Sequence, residues 1–116
     1  MNNNFAIGTD IEENSRFEDK TSDFLERIFT DSELKYCFKH KKPAPHLCAR
    51  FCAKEAVVKA LYTIGISDIY YGDIEILNKG NGVPYVKILK YPDLNIKISL
   101  SHCKTYSTAS AFVIKN

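Results

Sequence analysis

The apolar positions of this chain change period twice along its length. Phe5, Ile7, Thr9 and Ile11 alternate with Ala6, Gly8 and Asp10, the period of two that marks a strand. The second face of that strand is nearly bare except for Asp10. From Arg16 to Phe29, the apolar residues Phe17, Phe24, Leu25, Ile28 and Phe29 sit among charges and predict a helix. Thr30 followed by Glu33 has the spacing of a capping box and predicts a second helix running to about His40. Lys41-Lys42-Pro43-Ala44-Pro45 should break it, because proline lacks the amide donor and the residue before it avoids the α region. From His46 or Leu47 to about Ile64 the chain is rich in Ala, Leu and Val, which predicts the longest helix.

After that helix the period returns to two. Tyr71 to Leu77 and Tyr85 to Leu89 flank a segment with Asn81-Gly82 and a spare Gly80, which suits a hairpin connection. Asn95 to Ser101 places Ile96, Ile98 and Leu100 on one face and Lys97, Ser99 and Ser101 on the other, with His102 at its end. Ser107 to Ile114 reads as a last strand after a short turn. One strand, then helices, then antiparallel strands is an α+β order, an antiparallel sheet packed with a long central helix. There is no repeat, low-complexity tract or long linker, and 116 residues make one domain, 1–116, with no room for a second.

Composition narrows the function classes. With 45% hydrophobic, 12% aromatic and 26% charged residues, the chain can build a core and is not of the disordered type. A net charge of +2 gives no general nucleic-acid footprint, so a polyanion would have to be met by a local patch. The longest mostly apolar stretch, Leu47 to Leu61, is interrupted by Arg50, Lys54, Glu55 and Lys59 and cannot serve as a membrane span. The start, Met-Asn-Asn-Asn-Phe, has no features of a secretory signal, so a cytoplasmic location is expected. Cys37, Cys48, Cys52 and Cys103 are then read as reduced thiols that mostly pack as small hydrophobes. Cys37-x-x-His40 and His46-x-Cys48 come near zinc-ligand spacing, but neither is a CxxC knuckle.

The long helix carries the candidate chemistry. At ~100° per residue, Arg50 and Lys54 point the same way, as do Glu55 and Lys59, while apolar residues fill most of the remaining circumference. Such a helix is buried on several sides, and its charges need partners there. Taken alone, they could equally be a solvated stripe with a Glu55 and Lys59 pair, and Asp10 could be a turn residue. Together, two carboxylates and nearby cations are suited to Mg²⁺ and a phosphate-bearing substrate: hard oxygen ligands for the ion, Lys and Arg for the phosphate oxygens.

Three segments carry a resemblance. They are Gly8-Thr9-Asp10-Ile11 with Arg16, then Arg50-Phe51-x-Ala53-Lys54-Glu55-Ala56-x-x-Lys59-Ala60, and Ser99-Leu100-Ser101-His102. The chain resembles the bacterial holo-[acyl-carrier-protein] synthases, the small 4'-phosphopantetheinyl transferases, in order and over nearly its whole length. The resemblance implies the phosphopantetheinyl transferase-like α+β fold. It implies transfer of the 4'-phosphopantetheine arm of coenzyme A to a serine of apo acyl carrier protein, releasing 3',5'-ADP, in support of fatty acid biosynthesis. It also implies a homotrimer with active sites at subunit interfaces.

Carried over residue by residue, Asp10 and Glu55 would hold Mg²⁺, and Glu55, directly or through a water, would help remove the serine proton. Lys59 would stabilise the leaving phosphate. Arg50, Lys54 and His102 would contact the coenzyme A phosphates. Arg16 would face the acidic helix of the carrier, with Lys20 and Arg27 as further candidates among acidic neighbours. The chain departs from the resemblance at Tyr62-Thr63-Ile64-Gly65, where a Gly-Thr-Gly turn is usual, and at Cys103, where threonine is common. The rival readings are a non-catalytic module that binds an acidic partner through Arg16 and Lys35, Lys39, Lys41 and Lys42, and a Mg²⁺-dependent phosphohydrolase. The first has no use for Asp10, Glu55 and Lys59 together. The second usually needs more carboxylates.

Overall fold

The computed structural model describes residues 4–115. Strand β1 (Phe5–Glu13) leads through a 3₁₀ turn (Asn14–Phe17) to helices α1 (Ser22–Ile28), α2 (Asp31–Phe38) and α3 (Pro43–Thr63). A second 3₁₀ turn (Tyr71–Asp73) precedes the hairpin β2 (Glu75–Asn78) and β3 (Pro84–Lys87), then β4 (Asn95–His102) and β5 (Tyr106–Ile114). The strands form two antiparallel sheets, one ordered β1-β5-β4 and one pairing β2 with β3. The α+β arrangement is the one expected.

Local chemistry moves several boundaries. The helix expected from Arg16 to Phe29 is divided, because the Thr21 hydroxyl accepts from the Phe24 amide and starts α1 afresh. The prolines expected to stand before the long helix instead open it, with Pro43 in its first turn, where a missing N–H costs nothing. Thr30 and Glu33 do form a reciprocal capping box at the start of α2. The strand expected from Tyr71 begins only at Glu75.

Helix α3 is the centre of the core. Leu47, Cys48, Phe51, Cys52, Ala53, Ala56, Val57, Ala60 and Leu61 are all buried, so apolar burial runs around most of the helix. Against it lies the small-residue face of the sheet: Ala6 and Gly8 of β1 beside Ser107, Ala109 and Ala111 of β5. The bare face of β1 is therefore the one that turns inward. A Cβ built on Gly8 would stand 1.9 Å from the Ala56 carbonyl oxygen and 3.0 Å from the Ala60 nitrogen, so only glycine permits this approach. Phe5, Ile7 and Ile11 consequently point outward, with Ile7 72% exposed. That pattern is the reverse of an ordinary half-buried strand and leaves a large apolar face without cover.

No described helix is long and apolar enough to cross a membrane. Cys37, Cys48 and Cys52 are buried thiols and Cys103 is exposed.

Candidate active site

The close crossing of β1 over α3 brings Asp10 to Lys59. Lys59 Nζ lies 3.3 Å from Asp10 Oδ1 and donates to the Thr9 carbonyl at 2.9 Å. The cation thus pairs with the strand carboxylate and not with Glu55, its neighbour one turn earlier on the helix. Asp10 Oδ2 is buried with no hydrogen-bond partner. Burial pushes the Asp10 carboxyl up to about 6; the neighbouring Glu12 carboxyl adds to this and Lys59 opposes it. Glu12 is itself paired with Arg16 at 2.7 Å.

Glu55 receives a hydrogen bond on Oε1 from the Tyr71 phenol. Burial first, and then that bond and the Glu55 charge, hold the Tyr71 hydroxyl up to about 12, with Asp10 adding a smaller push. Tyr71 therefore stays a proton donor at neutral pH, and both carboxylates act on it. Sequence reasoning did not single out Tyr71, because nothing in Ile69-Tyr70-Tyr71-Gly72 marks this phenol apart from its neighbour.

Lys54 corrects an expectation. It is fully buried, and Nζ contacts the Tyr71 carbonyl at 2.8 Å, the Ile74 carbonyl and Glu33 Oε1 at 2.7 Å. Its three hydrogens are used, and none remains for a phosphate. Burial pulls the ammonium pKa down, while Glu33 acts in the opposite direction. Glu33 looks in sequence like a cap residue only, yet it also accepts from the Ile76 amide at 2.8 Å. Arg50 is likewise interior, 4% exposed, with its guanidinium over the Tyr36 ring and Nη2 donating to Asn78. Asn78 in turn donates to the Gly82 carbonyl, so Arg50 braces the β2-β3 turn; its Nε has no partner.

His102 stands apart from the carboxylates, at the exposed end of β4. It lies beside His46, which stacks on His40 with ring centroids 3.6 Å apart. Arg16 is half-exposed and lies over the Phe51 ring at 4.9 Å. The sequence-predicted residues are therefore dispersed: Asp10, Lys59 and Glu55 lie around the β1-α3 crossing, Lys54 and Arg50 are interior, Arg16 lies over Phe51, and His102 stands with the imidazoles at the start of α3.

Among the described residues no three His, Cys, Asp or Glu side chains converge as a ready-made metal site. Mg²⁺ does not need one, since it commonly takes one or two carboxylates with waters and substrate phosphates filling the remainder. A buried, orphaned carboxylate oxygen near a second carboxylate-bearing turn fits that requirement. An open cleft of about 630 Å³, lined by Ile7, Thr9, Lys59, Thr63, Lys97 and Ser99 among others, borders the crossing. Another, of about 610 Å³ and rimmed by Lys20, Lys41, Lys42 and Lys104, lies away from these carboxylates.

The raised carboxyl of Asp10 has a consequence for stability. Its folded pKa of about 6 exceeds the ordinary value of 3.8, so ionising it costs the native state as pH rises through that window. Asp10→Asn should therefore raise the stability of the metal-free protein at pH 7.5 by about 1–2 kcal/mol, the linkage energy of the raised pKa discounted for solvent screening. It should change little at pH 2.5, where both states hold the proton. Thermal unfolding in EDTA at the two pH values checks this, and a variant no more stable at pH 7.5 would contradict it.

Comparison with known proteins now decides the family. Residues 6–112 match the family described as the 4'-phosphopantetheinyl transferase superfamily. The chain belongs to this superfamily. Among relatives, the holo-[acyl-carrier-protein] synthase of Protochlamydia amoebophila is 46% identical over 115 residues, covering 91% of this chain and 94% of its own. The holo-(acyl-carrier-protein) synthase of Bacillus anthracis, crystallised with CoA (3',5'-ADP), superposes with a TM-score of 0.82 at 29% identity and covers 96% of each chain. The Helicobacter pylori enzyme, solved in complex with coenzyme A, gives a TM-score of 0.78 at 29% identity, covering 92% of this chain and 98% of its own. The phosphopantetheinyl transferase fold expected from the three sequence segments is the fold found.

Proposed function

We propose that this chain is a holo-[acyl-carrier-protein] synthase. It takes the 4'-phosphopantetheine arm of coenzyme A and places it on a serine of apo acyl carrier protein, supplying holo carrier for fatty acid biosynthesis. The observation that carries the reading is Asp10 Oδ2, buried and unpartnered beside Lys59, in a chain matched to the superfamily over nearly its full length. A buried carboxylate oxygen left without a donor is costly unless a ligand completes it.

In the reaction, the serine hydroxyl attacks the phosphorus that bears the pantetheine arm, and the pyrophosphate P–O bond to 3',5'-ADP breaks. Glu55, directly or through a water, helps to remove the serine proton. Lys59, held by Thr9 and Asp10, offers positive charge to the departing phosphate. Asp10 and Glu55 would hold Mg²⁺, which supplies further neutralisation of pyrophosphate charge when bound. Little covalent work falls to the protein in phosphoryl transfer, so positioning and charge neutralisation carry the rate. His102 is a candidate contact for coenzyme A phosphate, and Arg16, half-exposed in the 3₁₀ turn after β1, for an acidic helix of the carrier.

The outward apolar face shared by β1 and β5 supports assembly as a homotrimer with sites completed between subunits. Phe5, Ile7, Ile11 and Phe112 form a surface that favours burial against other copies. Ile7→Glu should reduce the sedimenting mass from three chains to one at micromolar concentration and lower transfer with it. A single-chain mass for the unaltered protein would contradict the assembly.

The function itself is tested by incubating the protein with coenzyme A, Mg²⁺ and apo acyl carrier protein and measuring 3',5'-ADP by chromatography. Release of the nucleotide in proportion to carrier supplied is expected. No release from folded protein would overturn the reading.

A further inference from the structure

The segment that carries Tyr71 is fastened to α3 with unusual completeness. The buried Lys54 ammonium grips the main-chain carbonyls of Tyr71 and Ile74, and Glu33 holds that ammonium while accepting from the amides of Thr30 and Ile76. A single buried ion pair thus fixes both ends of the second 3₁₀ turn against the helix, at the residue just before Glu55. The Tyr71 ring packs on Phe51, centroids 5.4 Å apart, one helical turn before Glu55. Main chain and ring are therefore both anchored, and the hydroxyl at the end of the ring falls on Glu55 Oε1. Lys54 and Glu55 are consecutive on the helix and leave it ~100° apart. One takes the backbone of Tyr71 and the other its phenol.

We infer that Tyr71 is a positioning residue for Glu55. The phenol occupies Oε1, sets the rotation of the carboxylate and leaves Oε2 as the oxygen offered to a divalent cation, for which no donor competes among the described residues. This rests on the metal-assisted reading given above. Hydrogen bonds behind a metal-binding carboxylate orient it and tune its basicity, and a glutamate without such a restraint must be ordered when the ion arrives. Asp10 is held in a parallel way from β1, by Lys59 on Oδ1 with Oδ2 unpartnered. Each carboxylate thus has one oxygen restrained by a donor of this chain and one oxygen left over.

Tyr71→Phe removes only the hydroxyl. The ring contact with Phe51 and the main-chain bonds to Lys54 persist, so the fold is retained, and an unchanged thermal midpoint verifies it. With Mn²⁺ alone as the probe, followed by electron paramagnetic resonance of the free ion, the variant should bind about 10-fold more weakly than the unaltered protein. In turnover, kcat should fall by a similar factor while the KM for coenzyme A stays within about twofold, since the hydroxyl's partner is Glu55 and not the coenzyme. Equal Mn²⁺ affinity in the two proteins would overturn the inference. So would tighter binding by the variant, which would mark the hydroxyl as a competitor of the ion. Failure of the unaltered protein to bind Mn²⁺, or undiminished binding by Asp10→Ala and Glu55→Ala, would overturn the metal reading and this inference with it.

Discussion

Gly8→Ala should strongly destabilise this protein, although it adds one methyl group to an exposed-looking alternating strand. The new carbon would stand 1.9 Å from the oxygen and 2.9 Å from the carbon of the Ala56 peptide, well inside any permissible contact. Both obstacles are backbone, so no side-chain rotation relieves them. Strand β1 and helix α3 must move apart, and Ala6, Ala56, Ala60 and Ala111, packed at the same crossing, lose contact together. Overpacking in cores costs about 1–3 kcal/mol or more, and here at least ~3 kcal/mol is expected because the contacts are with main chain. Against a total of ~5–15 kcal/mol, the midpoint should fall by more than ~12 °C, at about 4 °C per kcal/mol. Transfer should also be lost, since Asp10 is two residues further along the displaced strand. A variant with a near-native midpoint would show that the strand and helix approach less closely than described.

Breaking the buried pair should be nearly as severe. Lys54→Ala leaves Glu33 as a buried carboxylate without its cation and orphans the carbonyls of Tyr71 and Ile74. Removing one partner of such a pair costs ~3–5 kcal/mol. The diagnostic variant is the double change Lys54→Met with Glu33→Leu. Buried ion pairs can often be exchanged for apolar residues with little loss, but here the pair also satisfies four backbone groups, those of Thr30, Ile76, Tyr71 and Ile74. The double variant should therefore remain destabilised by at least ~3 kcal/mol, with each orphaned group contributing ~1–3 kcal/mol. Denaturant titration of the single and double variants measures this, and a double variant as stable as the parent would contradict the role given to the pair.

The sequence made the elements legible where local chemistry decides them. The capping box at Thr30 and Glu33, the alternation of β4 and the apolar run of α3 were all readable, because each depends on neighbours a few residues away. The orientation of β1 was not. Alternation alone does not say which face is buried, and the buried Ala6 with the 1.9 Å approach at Gly8 reveals that α3 takes the small-residue face. The same limit applies to the site. Asp10, Glu55 and Lys59 were recognisable as a set, but that Lys59 would choose Asp10 over Glu55 depends on a strand 49 residues away in sequence. Lys54 shows the opposite failure: a lysine in a conspicuous motif looks like a phosphate ligand until its three buried acceptors are seen. Tyr71 and the second task of Glu33 had no local signal at all, since both are defined by contacts between separate elements.

The central proposal is that the β1-α3 crossing is a cation-dependent centre for phosphopantetheine transfer. Intact-mass spectrometry of apo acyl carrier protein tests that claim most directly, after incubation with coenzyme A and Mg²⁺ and either the unaltered protein or Glu55→Ala, with an EDTA arm for each. The carrier should gain one phosphopantetheine group with the unaltered protein and Mg²⁺, and in no other arm. Modification by folded Glu55→Ala at the parent's rate, or undiminished modification in EDTA, would contradict the claim.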